Sequence, residues 1–285
     1  MSETWSVRAV LGWTAEYFGK RGIDSPRLTA EVLLAHVLKL SRVYLYTDLD
    51  RPLSKQELSQ FRALLERRAS GEPTQYLTGT REFYSRPFSV DPRVLIPRPE
   101  TELLVEAVLR ELPRERCGHL LDLCTGSGCI AVSLAAERPA ASVWATELST
   151  DACEVARANA RALNVSERVA ILQGDLFQPL PRDTRFDAVV SNPPYVRSGE
   201  MPGLSSEVQR EPSTALDGGP DGLALLRRII AEAGSWLQPG GLLALEIGDT
   251  QGEAVLDLLR QAGYANARIE KDLGKLDRLG LCLAP

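Results

Sequence analysis

The run Leu120-Leu121-Asp122-Leu123-Cys124-Thr125-Gly126-Ser127-Gly128-Cys129-Ile130-Ala131 reads as a short apolar strand, a tight glycine turn and the opening of a helix. Glycines at such a junction let the backbone turn sharply and approach a ligand at the carboxyl edge of a parallel sheet. The spacing Gly126-x-Gly128-x-x-Ala131 also fits the loose dinucleotide-binding pattern, which alone is a weak signal.

Downstream the alternation continues. Cys129 to Arg138 reads as a helix, Ser142 to Thr146 as a strand, Asp151 to Leu163 as a helix and Val169 to Gln173 as a strand. Phe186 to Ser191 is a buried strand, and Leu223 to Leu237 a helix ended by Pro239-Gly240-Gly241. Leu242 to Ile247 is a strand and Gly252 to Ala262 a helix. Strands near Ala267–Lys271 and Leu279–Leu283 are too close for a crossover helix, so they pair antiparallel. The expected fold is α/β, with a mostly parallel seven-stranded sheet covered by helices on both faces.

Upstream the character differs. Residues 1–75 read as a small helical domain. Ser25-Pro26 is an N-cap with proline at the first helical position, followed by an apolar face of Leu28, Val32, Leu33, Leu34, Val37 and Leu38. His36 is expected to be packed within that run. Ser54 and Glu57 form a capping box, and Leu58, Phe61, Leu64 and Leu65 follow until Gly71-Glu72-Pro73 stops the helix. Residues 76–100 read as a hairpin and linker carrying Phe83, Phe88 and Val90, punctuated by prolines 87, 92, 97 and 99. Residues 101–285 form the main domain, with Thr101 as the expected cap of its first helix.

The 285 residues are 44% hydrophobic and 25% charged, which suits a chain that buries a core. No charge-free run of roughly 18 apolar residues appears, so no membrane span is expected. Met1 to Lys20 mixes Glu3, Arg8 and Glu16 with apolar residues and lacks the order of a signal peptide. A cytoplasmic location is expected. The net charge of -5 is uneven: residues 1–80 carry +2 and residues 81–285 carry -7. An acidic main domain argues against direct DNA binding, which draws on phosphate neutralisation. Cysteines 117, 124, 129, 153 and 282 form no Cys-x-x-Cys pair, and His36 and His119 stand alone, so no metal site is expected.

Two acids narrow the ligand. Asp122 just before the glycines is awkward beside a pyrophosphate and favourable beside an ammonium group. Glu147, at the end of the next strand, can accept from both hydroxyls of a ribose. A ligand with an ammonium, a ribose and no phosphate is S-adenosylmethionine. After the third strand, Asp175 could accept from an adenine amino group, with Leu176 and Phe177 packing on the ring.

The fourth strand runs into Asn192-Pro193-Pro194-Tyr195. Methylating a planar NH2 group is hard because the nitrogen lone pair is delocalised. Acceptors must hold both N–H bonds and turn the lone pair towards the methyl carbon. The Asn192 side-chain oxygen and the Pro193 carbonyl can do so, and consecutive prolines aim that carbonyl. Tyr195 can cover the flat face. Catalysis is then alignment and electrostatics. The long segment Val196 to Gly222 is expected to flank the incoming group.

The tetrad together with Asp122–Gly128 resembles the class I, Rossmann-like methyltransferases that modify exocyclic or amide nitrogens. Pro73-Thr74-Gln75-Tyr76-Leu77-Thr78-Gly79, Phe83 and Val94-Leu95-Ile96-Pro97-Arg98-Pro99-Glu100-Thr101-Glu102 resemble the HemK/PrmC family, as do Lys271-Asp272-Leu273-Gly274 and Asp277-Arg278 near the C-terminus. That family methylates the glutamine of the Gly-Gly-Gln motif in peptide chain release factors. The resemblance implies that Cys124, Thr125, Gly126, Ser127, Gly128, Glu147, Leu176 and Asn192 line the cofactor. It implies that Asn192, Pro193, Pro194 and Tyr195 grip the glutamine amide and that the helical front holds the release factor. Two positions depart from the pattern. Cys124 stands where glycine is frequent, and a residue with a Cβ there is expected at φ below zero. Glu147 replaces the usual aspartate. A monomer is expected. Methylation of a ribosomal-protein glutamine or of a nucleic-acid adenine are alternative activities. A non-catalytic adaptor and a nicotinamide dehydrogenase are the contrasting classes.

Overall fold

The computed structural model describes residues 5–113 and 118–285. Residues 1–4 of the expected helical domain, and Cys117, lie outside the described residues. Two compact units are present: the chain up to Gly79 together with Ser205–Arg210, and Thr80–Leu204 together with Glu211–Pro285.

The first unit is helical: α1 (Val7–Gly19), α2 (Pro26–Leu38), α3 (Lys55–Ala69) and the short α4 (Thr74–Thr78). Leu11, Phe18, Leu33, Leu34, Phe61 and Leu65 form its core. The capping box of α3 is in place, with Glu57 N donating to Ser54 Oγ at 3.2 Å and Ser54 N to Glu57 Oε2 at 2.7 Å. The start of α2 differs from expectation. Ser25 is left-handed at φ 46° and makes no side-chain cap, so Pro26 begins the helix by its fixed φ alone. Leu28 is 43% exposed and His36 is exposed. The buried stripe centres on Ala30, Leu33 and Leu34, and at 100° per residue Leu28 falls opposite it and His36 well to one side. Ser205–Arg210 joins this unit through an ion pair of the buried Arg68 with Glu207 and a bond from Arg210 to the Ser70 carbonyl.

The second unit opens with a hairpin, β1 (Thr80–Phe83) and β2 (Arg86–Ser89), then α5 (Glu102–Glu111). β3 (His119–Leu123), α6 (Cys129–Glu137), β4 (Ser142–Glu147), α7 (Thr150–Ala162) and β5 (Val169–Gln173) follow. Then come β6 (Phe186–Ser191), α8 (Ala224–Ala233), β7 (Leu237–Glu246), α9 (Gly252–Gln261), β8 (Ala265–Lys271) and β9 (Asp277–Leu283). The seven-stranded sheet has the order β5-β4-β3-β6-β7-β9-β8, and β9 alone runs antiparallel to its neighbours. Strand alternation feeds two cores. Leu120, Ala188, Val190, Leu242 and Ala244 face α5, α6 and α7, whereas Leu121, Leu123, Val189, Leu243 and Leu245 face α8 and α9.

The order reverses beside β3, so β4 and β6 flank it and the crevice opens at their carboxyl ends. Register makes those ends level: Leu123 stands opposite both Thr146 and Ser191. Residues 124, 147 and 192 therefore leave the sheet side by side.

One expected boundary moves. The helix expected over 223–237 ends at Ala233, and β7 begins at Leu237, passing through Pro239-Gly240-Gly241. The pairing jumps from Phe186↔Leu237 to Ala188↔Leu242, so this Pro-Gly-Gly stretch is a bulge in the strand and not a helix stop.

Candidate active site

The glycine loop is built on a buried carboxyl. Asp122 Oδ2 accepts from Thr125 Oγ1 at 2.6 Å and from the Ala131 N–H at 3.2 Å, tying the turn to the first turn of α6. Asp122, expected beside a ligand ammonium, is fully buried and does not line the cavity. Its place in β3 puts it on the same face as Leu120. Burial pushes its pKa up to about 7 against the donations of Thr125 and Ala131.

Cys124 stands at φ 59°, not below zero. The chain must reverse directly after Leu123, and this residue takes the left-handed conformation that suits glycine. Its thiol is pushed up by burial and by the carboxylates of Glu147 and Asp122. Gly126 and Gly128 follow at φ 54° and 81°. A Cβ on Gly128 would stand 3.2 Å from Ala156 Cβ, so this glycine permits close packing of α6 on α7 and does not line the cavity.

A cavity of ≈ 320 Å³ opens at the carboxyl edge of β3, β4 and β6. Cys124, Thr125, Gly126, Ser127, Glu147, Asp175, Leu176, Asn192 and Pro194 all line it. Glu147 anchors two loops, its Oε2 accepting from Gly126 N at 3.0 Å and its Oε1 from Ser149 N at 2.9 Å. Asp175 is paired with Arg228 at 2.7 Å. Phe177, expected on an adenine ring, is buried below the sheet edge and stacks on Trp236 at 5.8 Å. Leu176 alone of that pair reaches the cavity.

The Asn192–Tyr195 corner is held from several sides. Ser191 Oγ donates to the Leu123 carbonyl at 2.8 Å, locking β6 to β3 immediately before the turn. Asn192 Nδ2 donates to Thr101 Oγ1 at 3.1 Å. Pro193 is buried and, like Tyr195, does not border the cavity. The Tyr195 hydroxyl is 3.4 Å from Glu246 Oε1, and burial raises its pKa. Gln251 Nε2 donates to the Tyr195 and Gly222 carbonyls at 3.0 and 3.2 Å. Gly218 lies so close that a Cβ on it would stand 2.7 Å from Tyr195 Cα.

The remaining walls come from the linker and the long loop. Val94, Leu95, Pro97 and Arg98 form one side and Pro212, Thr214 and Ala215 another. Glu211 joins them: its Oε1 pairs with Arg98 at 2.6 Å and its Oε2 accepts from Ile96 N at 3.0 Å. Asn159 on α7 bonds Ser89 N at 2.8 Å, Ser89 O at 3.0 Å and Ser127 O at 2.9 Å, fastening β2 to the glycine loop.

Thr101 does not cap α5. It is helical itself, makes no cap bond, and turns its hydroxyl towards Asn192. Thr101, Asn159, Glu211, Glu246 and Gln251 were not legible as site residues, because each meets the site across a long sequence separation. The sole local hint was polarity at positions that the strand and helix patterns bury, as for Asn159 and Glu246.

A doubly wound sheet with this crevice, glycine loop, acid after the next strand and Asn-Pro-Pro-Tyr corner defines a Rossmann-like methyltransferase. Solved structures agree on the fold. A methyltransferase from Pyrococcus furiosus aligns with TM-score 0.52 at 20% identity over 69% of this chain and 88% of its own. The hMettl16 catalytic domain, solved with a MAT2A 3′UTR hairpin, aligns with TM-score 0.58 at 18% identity over 69% and 74%. Family models for the PrmC N-terminal domain and the methyltransferase small domain match residues 9–79 and 99–220. Release factor glutamine methyltransferases from Moorella thermoacetica and Geobacter sulfurreducens are 46% and 44% identical, over 96% and 97% of this chain and 96% of each relative. The chain belongs to the release factor glutamine methyltransferase family.

Proposed function

We propose that this protein transfers a methyl group from S-adenosylmethionine to the side-chain amide nitrogen of the glutamine in the Gly-Gly-Gln motif of peptide chain release factors. It does so in the cytoplasm, as a monomer, without binding DNA. Residues 1–75 recognise the release factor, residues 76–100 link, and residues 101–285 carry the chemistry. The observation that supports this most is that Asn192 and Pro194 line the same cavity as Thr125, Gly126, Ser127 and Glu147.

The donor set fits S-adenosylmethionine. Gly126 borders the cavity with nothing within 4 Å of where a side chain would stand, so a ligand can approach its backbone. Each Glu147 oxygen already takes one backbone N–H, which leaves further lone pairs for two ribose hydroxyls. Leu176 offers an apolar surface to the adenine, and Asp175 an acceptor at its edge. When bound, the cofactor supplies a methyl carbon on a positively charged sulfur.

The chain's own part is orientation. Asn192 Oδ1 and the Pro193 carbonyl accept the two N–H bonds of the substrate amide. Held there, the nitrogen loses conjugation with its carbonyl and its lone pair points at the methyl carbon. Tyr195 packs against the amide plane. The surplus proton leaves to water after transfer, so no strong base is required. The test is intact-mass and peptide analysis of purified release factor after incubation with protein and S-adenosylmethionine, beside ribosome and DNA controls. One added methyl on the Gly-Gly-Gln peptide is expected; methyl found only in ribosomal protein or nucleic acid contradicts the proposal.

A further inference from the structure

A carboxamide is nearly symmetrical in shape, so packing alone does not choose which end is oxygen and which is nitrogen. Hydrogen bonds choose. For Asn192 the choice matters, because its oxygen is useful to an incoming NH2 group and its nitrogen repels one. The neighbour that decides is Thr101, whose Oγ1 lies 3.1 Å from Asn192 Nδ2.

A hydroxyl by itself is ambiguous, since it can accept from one end of the amide or donate to the other. In this structure the hydroxyl is the acceptor and the Asn192 nitrogen the donor. Thr101 is itself 2% exposed, so solvent does not compete for its hydroxyl. The amide nitrogen is thus the end turned to Thr101, and Oδ1 is the opposite end.

We infer that Thr101 is a positioning residue that fixes the facing of the Asn192 carboxamide so that its oxygen meets the substrate amide. This rests on the functional reading above. Thr101 sits in helical backbone and makes no cap bond, so no local structural task accounts for its hydroxyl.

The test uses the full chain with release factor as substrate. Thr101→Val keeps the shape and removes the acceptor. It is expected to lower kcat about 10- to 100-fold while the KM for S-adenosylmethionine stays within about threefold. Thr101→Ser restores the hydroxyl and recovers kcat to within about threefold of the parent. A Thr101→Val enzyme within about twofold of the parent, or a Thr101→Ser enzyme as slow as Thr101→Val, overturns the inference. A second readout needs no turnover. The Asn192 side-chain NH2 signals in a nitrogen-15 spectrum, identified by their loss in Asn192→Asp, should exchange slowly with solvent in the parent and in Thr101→Ser, and fast in Thr101→Val. Fast exchange in the parent overturns the inference even if Thr101→Val fails to fold. A parent that methylates no release factor counts against the functional reading, and the exchange experiment still decides the role of Thr101.

Discussion

Replacing Gly218 by alanine tests how tightly the reactive corner must be placed. Gly218 is buried and its φ lies outside the left-handed range, so alanine has no backbone penalty there. Its Cβ would stand 2.7 Å from Tyr195 Cα, 2.8 Å from the Pro194 carbonyl oxygen and 2.8 Å from the Gly222 carbonyl oxygen. All three are backbone atoms and cannot swing aside. Ordinary contact begins at 3.4 Å, so the corner must retreat by about 0.7 Å. A misplacement near 1 Å costs about 100-fold in rate, so kcat should fall about 10- to 100-fold. Overpacking should also cost about 1–3 kcal/mol of stability. The assay is single-turnover methylation of release factor at saturating cofactor, with calorimetry for cofactor binding and urea unfolding for stability. Gly199→Ala is the control, since a Cβ there meets nothing within 4 Å. A folded Gly218→Ala protein that turns over within about twofold of Gly199→Ala refutes the claim that corner placement limits the rate.

Asp122 and Glu246, both pushed up to about 7 by burial, keep protons in the folded chain that the unfolded chain releases near pH 4. The folded state thus binds more protons between those values, and the stability these groups contribute is full below pH 4 and lost as pH rises to 7. Asp122→Asn should therefore gain on the parent by of order 3 kcal/mol between pH 4 and pH 8 in urea titrations; a constant difference contradicts the assignment. Glu147→Gln removes an acceptor from a carboxylate that two N–H groups already use, and should weaken cofactor binding about 10- to 100-fold by calorimetry. Asn159→Ala removes the partner of Ser89 and strands the buried Ser127 carbonyl, and should cost about 1–3 kcal/mol in urea, where a loss under about 0.5 kcal/mol would show that the fastening is idle.

What the sequence revealed follows the range of the interactions. The glycine turn, the acid at Glu147 and the Asn192–Tyr195 corner are local patterns at strand ends, and the sheet brings Cys124, Glu147 and Asn192 to one cavity. Asp122 was legible as important, while its bonds to Thr125 and Ala131 were not. Alternation along β3 places it on the same face as Leu120. Cys124 takes a left-handed backbone despite its Cβ because the loop that follows is fixed by Asp122, Thr125 and Glu147. Phe177 was misplaced because apolar residues beside a ligand look the same in sequence as apolar residues of a core. Thr101 looked like a cap, since a threonine before an apolar run is the usual cap signal, and its partner Asn192 lies far along the chain. The Pro-Gly-Gly stretch looked like a helix stop because a bulge and a stop use the same residues.

The most direct measurement is a crystal structure of the protein with S-adenosylhomocysteine and a glutamine peptide bearing Gly-Gly-Gln. The account predicts the sulfur in the cavity beside Asn192, with the glutamine nitrogen at about 3 Å from both Asn192 Oδ1 and the Pro193 carbonyl oxygen. A sulfur bound elsewhere, or a glutamine nitrogen held by other groups with the Asn-Pro corner standing away from it, contradicts the account.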